Sequence, residues 1–168
     1  MQKYLEDAAR EIKAHREEII NKMVQLSLTD MLLFWGQKKD LMERQQQVWG
    51  PLLQWAQDSF KTHFAKTFGL EVPSENEASG ARLKLFMESL NDRELAAFYV
   101  AALNMRSVLL AAALVKGRIN AEEAYQAAYL EELWQAENWG SDEEAESKRQ
   151  ERLCELREVE KFLKTAHD

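Results

Sequence analysis

A chain of 168 residues is the size of one ordinary domain. Its 46% apolar and 30% charged residues exclude a disordered chain, and six Gly with two Pro leave too few turns for a many-stranded sandwich or barrel. With 22 Lys and Arg against 29 Asp and Glu, the net charge of −7 argues against gripping a phosphate backbone and favours protein partners over nucleic acid.

The first helix is predicted from about Tyr4 to Leu26, because Leu5, Ile12, Ile19 and Leu26 recur every seventh residue and Ala8, Ala9 and Met23 fill the adjacent rows. His15 and Arg16 interrupt that stripe and read as structural residues satisfied at its edge. The opening stretch is rich in Glu and has no apolar signal core, so no targeting segment is expected in it. Thr29 and Asp30 end the pattern, and the following MLLFW is too brief for a helix of its own, so it reads as an extended segment packed on the core. A polar helix is expected from Lys38 to about Gln47, ended by Gly50 and Pro51, with Pro51 opening a further helix that places Leu52, Trp55, Phe60 and Phe64 on one side. Thr67 to Asn76 is the most loop-like stretch, and its Leu70 and Val72 could supply one edge strand at most.

Capping boxes then announce three helix starts, pairing Asn91 with Glu94, Asn120 with Glu123 and Ser141 with Glu144. Gly117 and Gly140 read as helix ends. The helices expected here run from about Asp92 to Lys116, from Ala121 to Trp139 and from Asp142 to about Lys164. Leu95 to Val115 is long enough to cross a membrane, but Arg106 near its centre costs roughly 2.5 to 3.5 kcal/mol on an insertion scale. It is therefore read as the buried centre of a bundle with Arg106 paired inside the protein, and no membrane insertion is expected. The chain is thus predicted to be all-α, a single helical bundle of about six helices with room for one short extended segment. Residues 1–28 form the first helix, 29–90 the middle helices and loop, and 91–168 a three-helix unit.

Motifs for chemistry are missing. There is no Gly-rich phosphate loop, no His-Glu-x-x-His, and three scattered His, so neither metal, cofactor nor small-molecule ligand is expected, and the chain reads as no enzyme. The single Cys154 suits a reducing compartment and reads as an ordinary, partly buried thiol. The stretch from Ala121 to Trp139 is more informative. At about 100° per residue, Tyr125, Ala128, Tyr129, Ala136 and Trp139 share one face with Glu132 among them and Gln135 at the margin. Glu132 is either a structural ion-pair member, answering Arg106, Arg82 or Arg93, or part of a docking surface that selects a partner's cation or amide. Trp49, Trp55, Trp134 and Trp139 pose the same choice between core and contact.

Two blocks carry a resemblance. LEELWQAENWG, Leu130 to Gly140, follows LAAALVKGRINAEEAYQAA, and Thr29–Asp30 precedes LMERQQQVWGPLLQWA, Leu41 to Ala56. In this order they resemble the C-terminal helical domain of the assembly chaperones that hold the alpha subunit of the ATP synthase catalytic head in mitochondria and alphaproteobacteria. The pattern departs at Leu33, Phe34 and Trp35, where the family commonly has Cys-Tyr-Arg, and at Gly50, where it commonly has Asp. The family's β-rich N-terminal domain is expected to be absent from this chain. The resemblance implies a non-enzymatic chaperone that binds the unassembled alpha subunit and prevents its aggregation, in the cytoplasm of a bacterium or the mitochondrial matrix of a eukaryote. The family's required acidic residue lies in the LEE segment, which carries over to Glu131 or Glu132, and the helical face favours Glu132. Partner-binding residues are therefore expected at Glu132, Glu131, Gln135, Trp139, Tyr125 and Tyr129. A helical adaptor, or an enzyme with an unrecognised cleft, remain the alternatives.

Overall fold

Helical periodicity governs the structure, a computed structural model that describes residues 2–69 and 77–166. Its elements are α1 (Gln2–Ser27), a short 3-10 turn (Met31–Leu33), α2 (Lys39–Phe60), α3 (Glu77–Ser89), α4 (Asp92–Met105), α5 (Val108–Val115), α6 (Ala121–Ala128), α7 (Leu130–Trp139) and α8 (Glu143–Leu163). The all-α class is as the sequence implies, with eight α-helices among the described residues instead of about six. The difference comes from two long helices that break, two short ones that fuse, and α3, which no cap or stripe announced.

Helix α4 lies at the centre, against α1, α5 and α8, while α3 packs on α1 and α6 on α8. Its capping box at Asn91 and Glu94 forms as expected, with Glu94 N donating to Asn91 Oδ1 at 2.8 Å and Asn91 N to Glu94 Oε1 at 3.0 Å. The box at Asn120 and Glu123 closes the same way on α6. At α8 the cap is Asp142, not Ser141, because its carboxylate accepts from Ala145 N at 2.8 Å and Ser141 instead bonds Glu146. Gly117 ends α5 at φ 72°, the left-handed geometry that lets Arg118 N reach back to Ala113 O.

The seven-residue stripe of α1 holds only as far as Ile12. His15 has non-helical φ/ψ of −131° and 31°, and beyond this bend the buried apolar residues are Ile20 and Met23, with Ile19 and Leu26 half-covered. Arg16 is satisfied as expected. Its guanidinium donates to Asp92 Oδ1 at 3.0 Å and to the carbonyls of Met87, Glu88 and Leu90, holding the end of α3. His15 itself points to solvent.

Pro51 does not separate two helices. It lies inside α2, because Leu41, Gln45, Trp49, Leu52, Leu53, Ala56 and Phe60 form one unbroken buried stripe. Burial along that stripe outweighs the roughly 3 kcal/mol that an interior Pro costs, and the Pro51 ring faces solvent. The MLLFW run forms the 3-10 turn and is extended only at Phe34, where Trp35 N donates to Thr67 O at 2.8 Å and Thr67 N to Leu33 O at 2.7 Å. Leu70 and Val72 lie outside the described residues.

The Asp92–Lys116 helix breaks at Arg106 and Ser107. Arg106 adopts left-handed backbone at φ 55° and its side chain is exposed, which corrects the expected internal ion pair. Ser107 restarts the chain as the cap of α5, accepting from Leu110 N at 3.0 Å. Beneath it sits Asp30, fully buried, whose Oδ1 accepts from Ser107 Oγ at 2.6 Å and Leu32 N at 3.0 Å, and whose Oδ2 accepts from Leu109 N at 2.9 Å. Burial pushes this carboxyl up to about 6 against the opposing pull of those bonds. Among the described residues no helix is long and apolar enough to cross a membrane.

Candidate partner-binding face

The stretch expected as one helix from Ala121 to Trp139 is divided at Tyr129, whose φ/ψ of −107° and 19° leaves the helical region. The buried positions show the consequence. Helix α6 buries Ala121, Ala124 and Tyr125, but α7 continues through Leu130 and Trp134 instead of Glu132 and Ala136. The stripe has stepped around the axis, and the face expected to be partly apolar core turns outward. Glu131, Glu132, Gln135 and Trp139 are all exposed. At about 100° per residue they fall within an arc of about 100° on α7.

Tyr125 and Tyr129 part company with those four. They are buried, 6% and 8% exposed, with ring centroids 5.4 Å apart. Tyr129 is tied to the core by its hydroxyl, which donates to Asn104 O at 2.8 Å and Asn104 Oδ1 at 3.0 Å. Burial raises its pKa to about 12, with Arg152 opposing and Glu132 adding to the shift. Each tyrosine still lines one of two grooves flanking α7. The groove of about 1030 Å³ on the Tyr125 side also takes in Leu130, Leu133 and Ala136, with Arg44 and Val48 of α2. The groove of about 560 Å³ on the Tyr129 side holds Leu103, Arg106, Glu132, Lys148 and Arg152. The six expected residues thus divide into an exposed face and a tyrosine pair beneath it.

Within that second groove Glu132 faces cations without closing on any. Among the described residues it forms no ion pair, Arg93 is engaged by Glu6 at 2.6 Å, and Arg106 shares the groove without pairing. The far end of α7 is anchored differently. Trp134 is buried and donates from Nε1 to Asp40 Oδ2 at 3.0 Å, and Arg44 pairs with Glu137 at 2.9 Å, holding the Glu137 carboxyl below its usual range. Trp139 lies 65% exposed, edge-on to Trp134 at 5.3 Å, with Lys38 Nζ 4.8 Å from its ring centroid. Of the other tryptophans, Trp49 is core, donating to Ala127 O at 2.8 Å, and Trp55 is half-buried.

Sequence reasoning missed Asn104 and Lys38. Asn104 is buried and joins three elements, since its Nδ2 donates to Arg152 O and Glu155 Oε1 of α8 while its oxygens receive Tyr129. A lone amide in an apolar run was the available signal. Lys38 carried none. Among the described residues no group of His, Cys, Asp and Glu could hold a metal, and Cys154 is exposed rather than partly buried.

The chain resembles known proteins in sequence and in fold. The model of the ATP12 chaperone protein family matches residues 2–57, the part that contains Thr29–Asp30 and Leu41–Ala56. The mitochondrial protein atp12 of Schizosaccharomyces pombe is 24% identical over 140 residues, covering 79% of this chain and 48% of that protein. The chain therefore spans about half the length of this curated relative. Atp12 from Paracoccus denitrificans superposes with a TM-score of 0.88 at 27% identity, over 93% of this chain and 67% of the other. The Atu1473 protein of Agrobacterium tumefaciens superposes with a TM-score of 0.82 at 28% identity, over 94% and 59%. Family model, curated relative and solved structures thus agree with the resemblance read from the sequence, and the chain is similar to the ATP12 chaperones.

Proposed function

We propose that this chain acts in ATP synthase assembly as a non-enzymatic chaperone, binding the unassembled alpha subunit of the catalytic head through the outer face of α7 until the partner subunit takes its place. The observation that carries this reading is the exposed arc of Glu131, Glu132, Gln135 and Trp139, with Glu132 unpaired among the described residues. A buried structural Glu would close on a cation. A Glu left hydrated between Arg106, Lys148 and Arg152 stays available to a cation or amide of the client, while Trp139 offers the flat apolar anchor that interfaces favour. Tyr125 and Tyr129 support the face from beneath and line the grooves beside it.

Holding of this kind works by mass action. The chaperone lowers the free concentration of the exposed client surface and needs no ATP. The compartment follows the client, the cytoplasm in a bacterium or the matrix in a mitochondrion. The test is Glu132→Gln, assayed for thermal stability and for binding and aggregation of purified alpha subunit. Stability is expected to change by no more than about 0.5 kcal/mol, as for other surface sites. Binding is expected to weaken by about 2 kcal/mol or more, the cost of truncating one partner of a buried charged contact. A large loss of stability with normal binding by the folded fraction would overturn the assignment.

A further inference from the structure

A separate groove of about 620 Å³ opens where the C-terminal end of α2 meets α3, and it shares no lining residue with either groove beside α7. Its floor is aromatic. Phe60 stacks edge-on with Trp55 at 6.0 Å and with Phe86 at 5.3 Å, and Leu85 stands at the rim 63% exposed. A leucine so exposed beside a half-buried tryptophan leaves apolar surface in water that a solitary leucine would not. Among the described residues the charges that line it are of one sign: Lys61, Arg82 and Lys116 do so, no Asp or Glu does, and none of the three is in an ion pair. In a chain of net charge −7 a groove whose described charged residues are all cations is against the trend of the molecule, whereas the two grooves beside α7 mix both signs.

We infer that this groove is a second docking surface, which receives an acidic segment of a partner protein by seating a large apolar side chain on Trp55, Phe60 and Phe86 and its flanking carboxylates on Lys61, Arg82 and Lys116. The apolar floor requires side chains of that character, which a phosphate backbone does not supply, and three cations amid an acidic surface are too few to hold one. Lys116 Nζ lies 5.5 Å from the Phe86 ring centroid, so a carboxylate drawn to it is brought directly over the aromatic floor.

The test is fluorescence anisotropy with a labelled short peptide that places Leu at helical spacing between Glu residues, titrated with the full chain. Binding is expected, and it should weaken by about tenfold or more in K61E/R82E/K116E and on raising salt from about 0.05 to about 0.5 M. Leu85→Ser should weaken it without changing the salt dependence. All these positions are exposed, so circular dichroism melts of the variants should match the parent. No binding, equal binding of the Lys-for-Glu peptide, binding indifferent to the charge reversal, or displacement by a single-stranded oligonucleotide as effective as by unlabelled peptide would each overturn the inference. Glu132→Gln is expected to leave peptide binding unchanged.

Discussion

The breaks at Arg106–Ser107 and at Tyr129 interrupt two runs that sequence periodicity reads as continuous helices, yet they do opposite things. The first turns polar groups inward, where Asp30 gathers Ser107 and the opening amides of the 3-10 turn and α5 into a buried network. The second turns a polar face outward, with one phenol held below by Asn104 and the side of α7 that carries Glu131, Glu132, Gln135 and Trp139 left in solvent. A buried break must be satisfied by bonds within the protein, because each unpaired buried donor costs roughly 1 to 3 kcal/mol. The α7 face beyond the second break has water for a partner, so its polar side chains need none within the protein.

The contrast is easiest to break at Asp30. Asp30→Ala strands three donors that nothing else reaches, and a loss of about 3 to 4 kcal/mol is expected in denaturant unfolding. The same carboxyl gives the fold a pH signature. Its folded value of about 6 lies above the ordinary 3.8, so between those values the folded state holds the proton more tightly than the unfolded state. The contribution of Asp30 is therefore greatest below about pH 4 and declines by about 3 kcal/mol as pH rises to about 6, at roughly 1.4 kcal/mol per pH unit. Stability of the parent minus that of Asp30→Asn, measured across this window, should show that decline. A flat difference would mean that Asp30 is ionised throughout.

At the other break the effects are smaller. Tyr129→Phe removes one hydroxyl from the Asn104 junction and is expected to cost about 1 to 1.5 kcal/mol, read by thermal melts. Arg106→Leu sharpens the comparison from the opposite end. Because that side chain is exposed and unpaired among the described residues, stability should stay within about 0.5 kcal/mol, and a larger loss would show the first break to be held from outside as well as from within.

Local rules were legible where local interactions decide. Asn91, Asn120 and Gly117 do what their sequence contexts announce, because a cap answers to residues within one turn. The class of fold and the family resemblance were legible for the same reason, being written in periodicity and contiguous motifs. Pro51 was misleading, since the stripe from Leu41 to Phe60 is a tertiary quantity that outweighs a local penalty. The α7 face was half-legible. Glu131, Glu132, Gln135 and Trp139 do share a face, but only the break at Tyr129, fixed by an amide 25 residues upstream, decides that this face meets water while Tyr125 and Tyr129 do not. Arg106 was misjudged because a helix assumed to be continuous leaves no room for a left-handed residue that swings its side chain out.

Asp30 also bears on the order in which the chain takes shape. Helix α5 has eight residues, too few to hold together in isolation, and the carboxylate that receives its Leu109 amide lies 79 positions earlier. Its nucleation therefore waits on closure of a long loop, a step governed by topology instead of local propensity. Hydrogen exchange at the Leu109 amide would then track release of the Asp30 segment from the bundle and not simple fraying of a helix end, so that one amide reports on the docking of the whole N-terminal third.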